Sequence, residues 1–257
     1  MAKRLWQIGP DCRAAARGMK RDDDDDDECA PIFGEILQHL DDRDRPEPVV
    51  DEISSWRTDG LYACLVSGVL SRVECEALVA ATERRGYVPA LLNKGRGREA
   101  YEPSFRRSDR RIVDDERLSR LIFARVRPYL EPYRDRWKLV GANERLRFLR
   151  YNPGDFFRLH GDGPYVRDSG PRRGDRSFVT LLLYLNDDYD GGRTTLYNSG
   201  DDYTEVVPAP GLVLIHDHQI MHEVPPLESG VKYVLRTDIM YERLDDEPDG
   251  AWETTWR

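Results

Sequence analysis

The chain has 257 residues, of which 39% are hydrophobic and 34% charged, with a formal net charge of −9 at pH 7. That balance excludes a general electrostatic pull toward nucleic acid or an anionic membrane surface. No stretch approaches the roughly 20 apolar residues of a membrane-spanning helix, so neither nucleic acid nor membrane is an expected partner.

Residues 1–59 read as a largely disordered acidic extension. They carry the run Asp22 to Asp27 followed by Glu28, whose like charges repel with few apolar groups to offset ordering entropy. Within it, 33–40 has the pattern of a short amphipathic helix, ended by Pro46 and Pro48. The first ten residues lack the apolar run of a signal peptide. The four cysteines (Cys12, Cys29, Cys64, Cys75) form no CxxC pair and read as free thiols. Both features make the cytoplasm the default address, with a nuclear one left open.

Residues 60–143 read as a helical support region. The segment 61–66 alternates like a strand, and Ser71 followed by Glu74 is a capping-box pattern. The helix it opens carries Leu78, Val79 and Ala81 and ends near Gly86. A second helix begins at Asp114 and Asp115, with Leu118, Leu121, Ile122, Ala124 and Val126 at helical spacing. Between them, 91–112 is rich in Gly, Arg and Lys without clear periodicity and reads as a mobile loop. Its basic residues (Lys94, Arg96, Arg98, Arg106, Arg107, Arg110 and Arg111) suit either a solvated loop or a lid closing on an acidic or phosphate-bearing substrate.

From 144 to 241 the pattern changes to short β-type runs: RLRFLRY, FFRLH, SFVTLLLYL, TTLY, TEVV, GLVLIH and YVLRTDIMY. Turn signals such as Asn152-Pro153-Gly154, Asp190-Gly191-Gly192 and Ser229-Gly230 separate them. Many short strands with regular turns predict a sandwich or barrel-like β core. Helices before strands predict an α+β fold with the N-terminal helices on one sheet. Residues 242–257 form an acidic tail, with Trp252 and Trp256 near its end.

Four of the five histidines (His160, His216, His218 and His222) fall in the β region. His160-Gly161-Asp162 places an imidazole and a carboxylate two residues apart at a strand-to-loop junction. A further histidine from another strand would complete the two-His, one-carboxylate face of a non-haem iron(II) oxygenase, which leaves metal positions open. His216, His218 and His222 each qualify by type. A 2-oxoglutarate cosubstrate would also need a buried cation for its distal carboxylate. Ten residues after His216 stands Pro226 and ten after His218 Glu228, whereas Lys232 follows His222 by ten. This spacing favours His222 and makes Lys232 the anchor. Arg236, on the same face of that strand by parity, is the rival anchor or a partner for a buried acid such as Asp238.

These residues resemble the prolyl 4-hydroxylase type of 2-oxoglutarate/Fe(II) oxygenases, from about Arg145 to Tyr241. The elements in register are Tyr151, His160-Gly161-Asp162, Thr180 before Tyr184-Leu185-Asn186, Gly191-Gly192-Arg193-Thr194, His222 and Lys232. The resemblance implies a double-stranded β-helix, a jelly-roll of cupin-like form. It implies iron(II) on His160, Asp162 and His222, with O2 at an open metal position. It further implies Tyr151, Thr180 and Lys232 on the distal carboxylate of 2-oxoglutarate, and a dependence on ascorbate. Collagen-type members carry Trp six residues after the lysine, where this chain has Asp238. The implied reaction hydroxylates a substrate C–H with release of succinate and CO2. Its substrate would be a peptidyl residue such as proline, or a small molecule or free amino acid. A metal- or ligand-binding β-helix protein without turnover is the reading from a different class.

Overall fold

The computed structural model describes residues 49–52, 60–95, 98–197 and 203–244. The acidic run, the helix expected at 33–40 and the tail tryptophans lie outside the described residues. In chain order the first half holds β1 (Val49–Glu52), β2 (Ala63–Ser67), α1 (Arg72–Arg85), β3 (Val88–Pro89), β4 (Leu92–Asn93), β5 (Glu99–Ala100), β6 (Arg106–Arg107), β7 (Asp109–Asp114) and α2 (Glu116–Val126). Then come β8 (Tyr133–Arg134), β9 (Trp137–Ala142), β10 (Arg145–Tyr151), β11 (Phe156–His160), β12 (Arg176–Tyr184), β13 (Tyr189–Gly191) and β14 (Thr195–Tyr197). The chain closes with β15 (Tyr203–Glu205), β16 (Val213–Asp217), β17 (Met221–Val224), β18 (Leu227–Gly230) and β19 (Lys232–Arg243).

A ten-stranded sheet runs β1-β2-β16-β12-β19-β10-β7-β3, with β9 on the far half of β19 and β8 on β9. A second sheet runs β15-β14-β17-β11-β6. All pairings among the described residues are antiparallel, and those at the heart of the large sheet join strands far apart in sequence, as in a jelly-roll. Period-two alternation decides what each face of the large sheet touches. Leu146, Phe148, Leu181, Leu183, Leu235 and Ile239 face one way and pack with Leu78 of α1 and Leu118, Ile122 and Val126 of α2. Leu182, Tyr184 and Val234 face the other way and pack with Leu196 of the second sheet and with Val206 and Ile220 beside its strands. The large sheet is thus covered on both faces, so β12 reads as a nearly continuous apolar run. The second sheet covers one side, and the helices cover the other.

The expected capping box is present on α1: the Glu74 amide donates to Ser71 Oγ at 3.2 Å and the Ser71 amide donates to Glu74 Oε2 at 2.5 Å. Asp115 caps α2, accepting from the Arg117 and Leu118 amides at 2.8 Å. Cys64 and Cys75 are free and buried. No helix among the described residues is long and apolar enough to cross a membrane.

The structure departs from the sequence expectations in three places. Within 91–112, β4 and β5 form a hairpin, β6 joins the second sheet, and β7 lies inside the large sheet between β10 and β3. The strand is concealed in the sequence by its charge, of which Arg110 is matched by Glu99 on the β4–β5 hairpin. Within 1–59, Val49–Glu52 is the strand β1, edging β2, as its β-branched start favours. Asp190-Gly191-Gly192, a turn signal in the sequence, instead lies partly inside β13, which pairs with β18. Gly191 (φ 71°) and Gly192 (φ 58°) sit so close to 226–228 that a Cβ on Gly191 would lie 2.9 Å from the Glu228 amide nitrogen.

Candidate active site

The register of the second sheet sets His160 of β11 directly opposite His222 of β17. Asp162 follows on the loop after β11, where its amide donates to the His218 carbonyl at 2.9 Å. One ligand atom from each of His160, Asp162 and His222 lies within 4.8 Å of the others. Each histidine is oriented by the backbone. A carbonyl can only accept, so the contacts of His160 Nδ1 with Arg158 O (2.7 Å) and of His222 Nδ1 with Ile220 O (3.0 Å) put the proton on Nδ1. Both Nε2 lone pairs are then free for a metal. Burial pushes the His160 imidazole down to about 3, with the His222 ring acting the same way, so it is neutral at physiological pH, as a ligand must be. Phe157 stacks on the His160 ring at 3.6 Å between centroids.

The large sheet holds the carboxylate. Thr180 of β12 donates to Asp162 Oδ2 at 2.5 Å, and Arg236 of β19 pairs with Oδ1 at 3.1 Å. Burial alone would raise the Asp162 carboxyl, but the Arg236 guanidinium, then the neighbouring imidazoles and the Thr180 hydroxyl, hold it well below the usual carboxylate range. Arg236 also meets Asp238 at 3.2 Å, as does Arg147 from β10. Arg236 is therefore engaged by two acids.

These groups open into a cavity of about 800 Å³ lined by His160, Asp162, His222, Tyr151, Lys232 and Arg236 among others. Lys232 is 1% exposed. Its ammonium donates to Gly192 O at 2.7 Å and Thr194 Oγ1 at 3.3 Å and lies 5.4 Å from the Tyr151 ring centre. Among the described residues no carboxylate pairs with it. Burial alone brings its pKa down to about 7. Tyr151 is likewise buried, and its hydroxyl is pushed above its ordinary value by burial first.

The donor set fits a divalent iron with two imidazoles and one carboxylate on one face. His216 and His218 do not join it. His216 Nδ1 meets the Asp217 carbonyl at 2.9 Å, and the His218 Nε2 faces Asp238 Oδ1 at 3.7 Å. Thr180 stands at the metal carboxylate rather than at Lys232, where the resemblance would set it, because β12 presents it between Asp162 and His216 of the neighbouring strand. The threonine at Lys232 is Thr194. Its position in Gly191-Gly192-Arg193-Thr194 was the available sequence signal, but only the fold shows that this segment crosses the ammonium.

The β core matches the model of the 2OG-Fe(II) oxygenase superfamily over residues 146–237. A PKHD-type hydroxylase of Synechococcus sp. (strain CC9605) is 32% identical over 104 residues, covering 40% of this chain and 45% of that one. Prolyl 4-hydroxylase 1 of Arabidopsis thaliana is 28% identical over 159 residues, covering 60% and 52%. The chain thus spans about half the length of the curated relatives it matches. In fold it is similar to a prolyl hydroxylase from Trichoplax adhaerens solved with a hypoxia inducible factor oxygen degradation domain peptide fragment, at a TM-score of 0.55 and 19% identity, covering 83% of this chain and 92% of that one. Residues 146–237 thus match the 2OG-Fe(II) oxygenase superfamily model, and the fold around them is similar to that of a prolyl hydroxylase. Iron(II), 2-oxoglutarate and O2 are the groups this class uses.

Proposed function

We propose that the chain is a 2-oxoglutarate-dependent dioxygenase that hydroxylates a substrate C–H bond and releases succinate and CO2. One observation carries the reading: the His160, Asp162 and His222 ligand atoms share a cavity with a buried lysine that no carboxylate of the described residues neutralises. A module that only bound metal would have no use for such a cation. Iron(II) bound there would supply O2 activation, with 2-oxoglutarate as the two-electron donor.

The chain's own residues then have distinct tasks. His160, Asp162 and His222 hold the metal. Thr180 and Arg236 keep the Asp162 carboxylate ionised and fixed. Lys232 and Tyr151, with Thr194 beside them, receive the distal carboxylate, and the apolar walls at Leu182, Val224 and Val234 exclude water. We take the substrate to be a peptide or protein residue, with proline the first candidate. The supports are the resemblance and the peptide carried by the Trichoplax enzyme. The same chemistry on a free amino acid is the other outcome of a screen.

The test is succinate release from 2-oxoglutarate with Fe(II) and O2, alone and with prolyl peptides or amino acids. Release that depends on Fe(II) and is lost in His160→Ala is the expected result. Fe(II) binding without release under any condition would refute the enzyme and leave a binding module.

A further inference from the structure

Resting on the oxygenase reading, a further assignment comes from the charge of the cavity wall. Six cationic side chains line it (Lys94, Arg106, Arg110, Arg147, Lys232, Arg236) against four carboxylates (Glu99, Glu102, Asp162, Asp238). The excess is positive in a chain whose net charge is −9. An iron(II) ion and a 2-oxoglutarate dianion add opposite charges of equal size, so they leave that excess in place.

Most of these cations are already paired. Lys94 meets Glu102 at 3.3 Å, Arg110 meets Glu99 at 2.5 Å, and Arg147 and Arg236 share Asp238. Lys232 is the proposed cosubstrate anchor. Arg106 is left over. Its Nε donates to Ser108 Oγ at 2.9 Å, the Tyr151 hydroxyl also reaches it, and the Asp162 carboxylate acts on it only through space, beyond ion-pair distance. Its Nη2 is buried with no hydrogen-bond partner. Among the described residues no carboxylate lies within ion-pair distance of it.

Arg106 is also held in place. β6 pairs Arg106 with Phe157 of β11, and the guanidinium lies 4.5 Å over the Phe157 ring. That ring in turn stacks on His160. One aromatic layer thus separates Arg106 from a proposed metal ligand. A guanidinium stays charged when buried, and its planar fork matches a carboxylate. An unpaired one in a buried site calls for an anion.

We propose that Arg106 receives a carboxylate of the primary substrate, whether the C-terminus or an acidic side chain of a peptide or the carboxylate of a free amino acid, so that the enzyme selects anionic substrates. Arg106 is then a specificity-determining residue, distinct from the cosubstrate anchor at Lys232.

Redox-inert Zn(II) with 2-oxoglutarate gives a loaded protein that does not turn over. Calorimetry at low salt then compares matched acids and amides: N-acetyl-L-proline with N-acetyl-L-prolinamide, and benzoate with benzamide. At least one acid should bind tenfold or more tightly than its amide. Arg106→Gln should reduce that preference to within twofold, Arg106→Lys should keep part of it, and Arg107→Gln should keep it whole. Circular dichroism checks that each variant is folded. If no acid is preferred, or if the preference survives in folded Arg106→Gln, the proposal is wrong. Zn(II) and 2-oxoglutarate binding are read first and separately, and their failure would sink the oxygenase reading. The acid–amide comparison is repeated on unloaded protein, so the Arg106 assignment stands or falls by its own result.

Discussion

Lys232→Met removes the buried ammonium and keeps an unbranched side chain one atom shorter. Burial lowers the lysine from its ordinary 10.5 to about 7. Below pH about 7 the folded protein must hold a desolvated charge that the unfolded chain carries in water. At about 1.4 kcal/mol per pKa unit, that shift is at most about 5 kcal/mol of stability withheld from the cosubstrate-free protein. Methionine removes this penalty but leaves the Gly192 carbonyl and the Thr194 hydroxyl without their donor, at a cost of about 1–3 kcal/mol. The net expectation is a gain on the order of 2–3 kcal/mol, or about 5–10 °C in Tm for a chain of this size.

The pH dependence gives the sign. Between pH about 7 and 10.5 the unfolded chain keeps a proton that the folded lysine has lost, so wild-type stability rises with pH through that window. The advantage of Lys232→Met is therefore full at pH 6 and gone by pH 10.5. The same variant should bind 2-oxoglutarate on the order of 100-fold more weakly, since a buried ion pair is broken for about 3 kcal/mol. Melting curves of both proteins from pH 6 to 10.5 and calorimetric titration with 2-oxoglutarate check the two halves. A variant that melts below wild type by a constant margin at every pH, or that binds 2-oxoglutarate as wild type does, refutes the reasoning.

Thr180→Val keeps the shape of the side chain but removes the donor to Asp162. Metal affinity should fall about 10–100-fold, with the 2-oxoglutarate requirement little changed. A raised 2-oxoglutarate requirement at unchanged metal affinity would return Thr180 to the role the resemblance implies. Gly211→Ala should unfold the protein or cost more than about 4 kcal/mol in urea denaturation, because a Cβ at that residue (φ 81°) would lie 1.8 Å from the Leu70 carbonyl oxygen. A variant within 1 kcal/mol of wild type would show that this packing is absent.

How much was legible in the sequence follows from where polar side chains go. β10 and β11 match their sequence runs because Asn152-Pro153-Gly154 separates two alternating segments. The buried run of β12 and the caps of α1 and α2 were legible for the same local reasons. β7 was not, because a charge such as Arg110 is matched by Glu99 on a neighbouring element, and pairing across a fold leaves no periodic trace. β17 is four residues, Met221–Val224, too short to register as a strand, although it carries His222. In the site, spacing along the chain suggested His160 and Asp162 and favoured His222 with Lys232. The exchange of Thr180 and Thr194 was not legible, since it depends on which strand ends face each other across the two sheets. Arg106 looked like one more charge in a basic segment until β6 set it against Phe157.

The metal centre is the centre of the account, and one measurement reaches it directly. Equilibrium dialysis with Fe(II) under anaerobic conditions should find one ion per wild-type chain. Binding should be lost in His160→Ala, Asp162→Ala and His222→Ala but retained in His218→Ala. Full binding in His222→Ala, with loss in His218→Ala, would contradict the triad and everything derived from it.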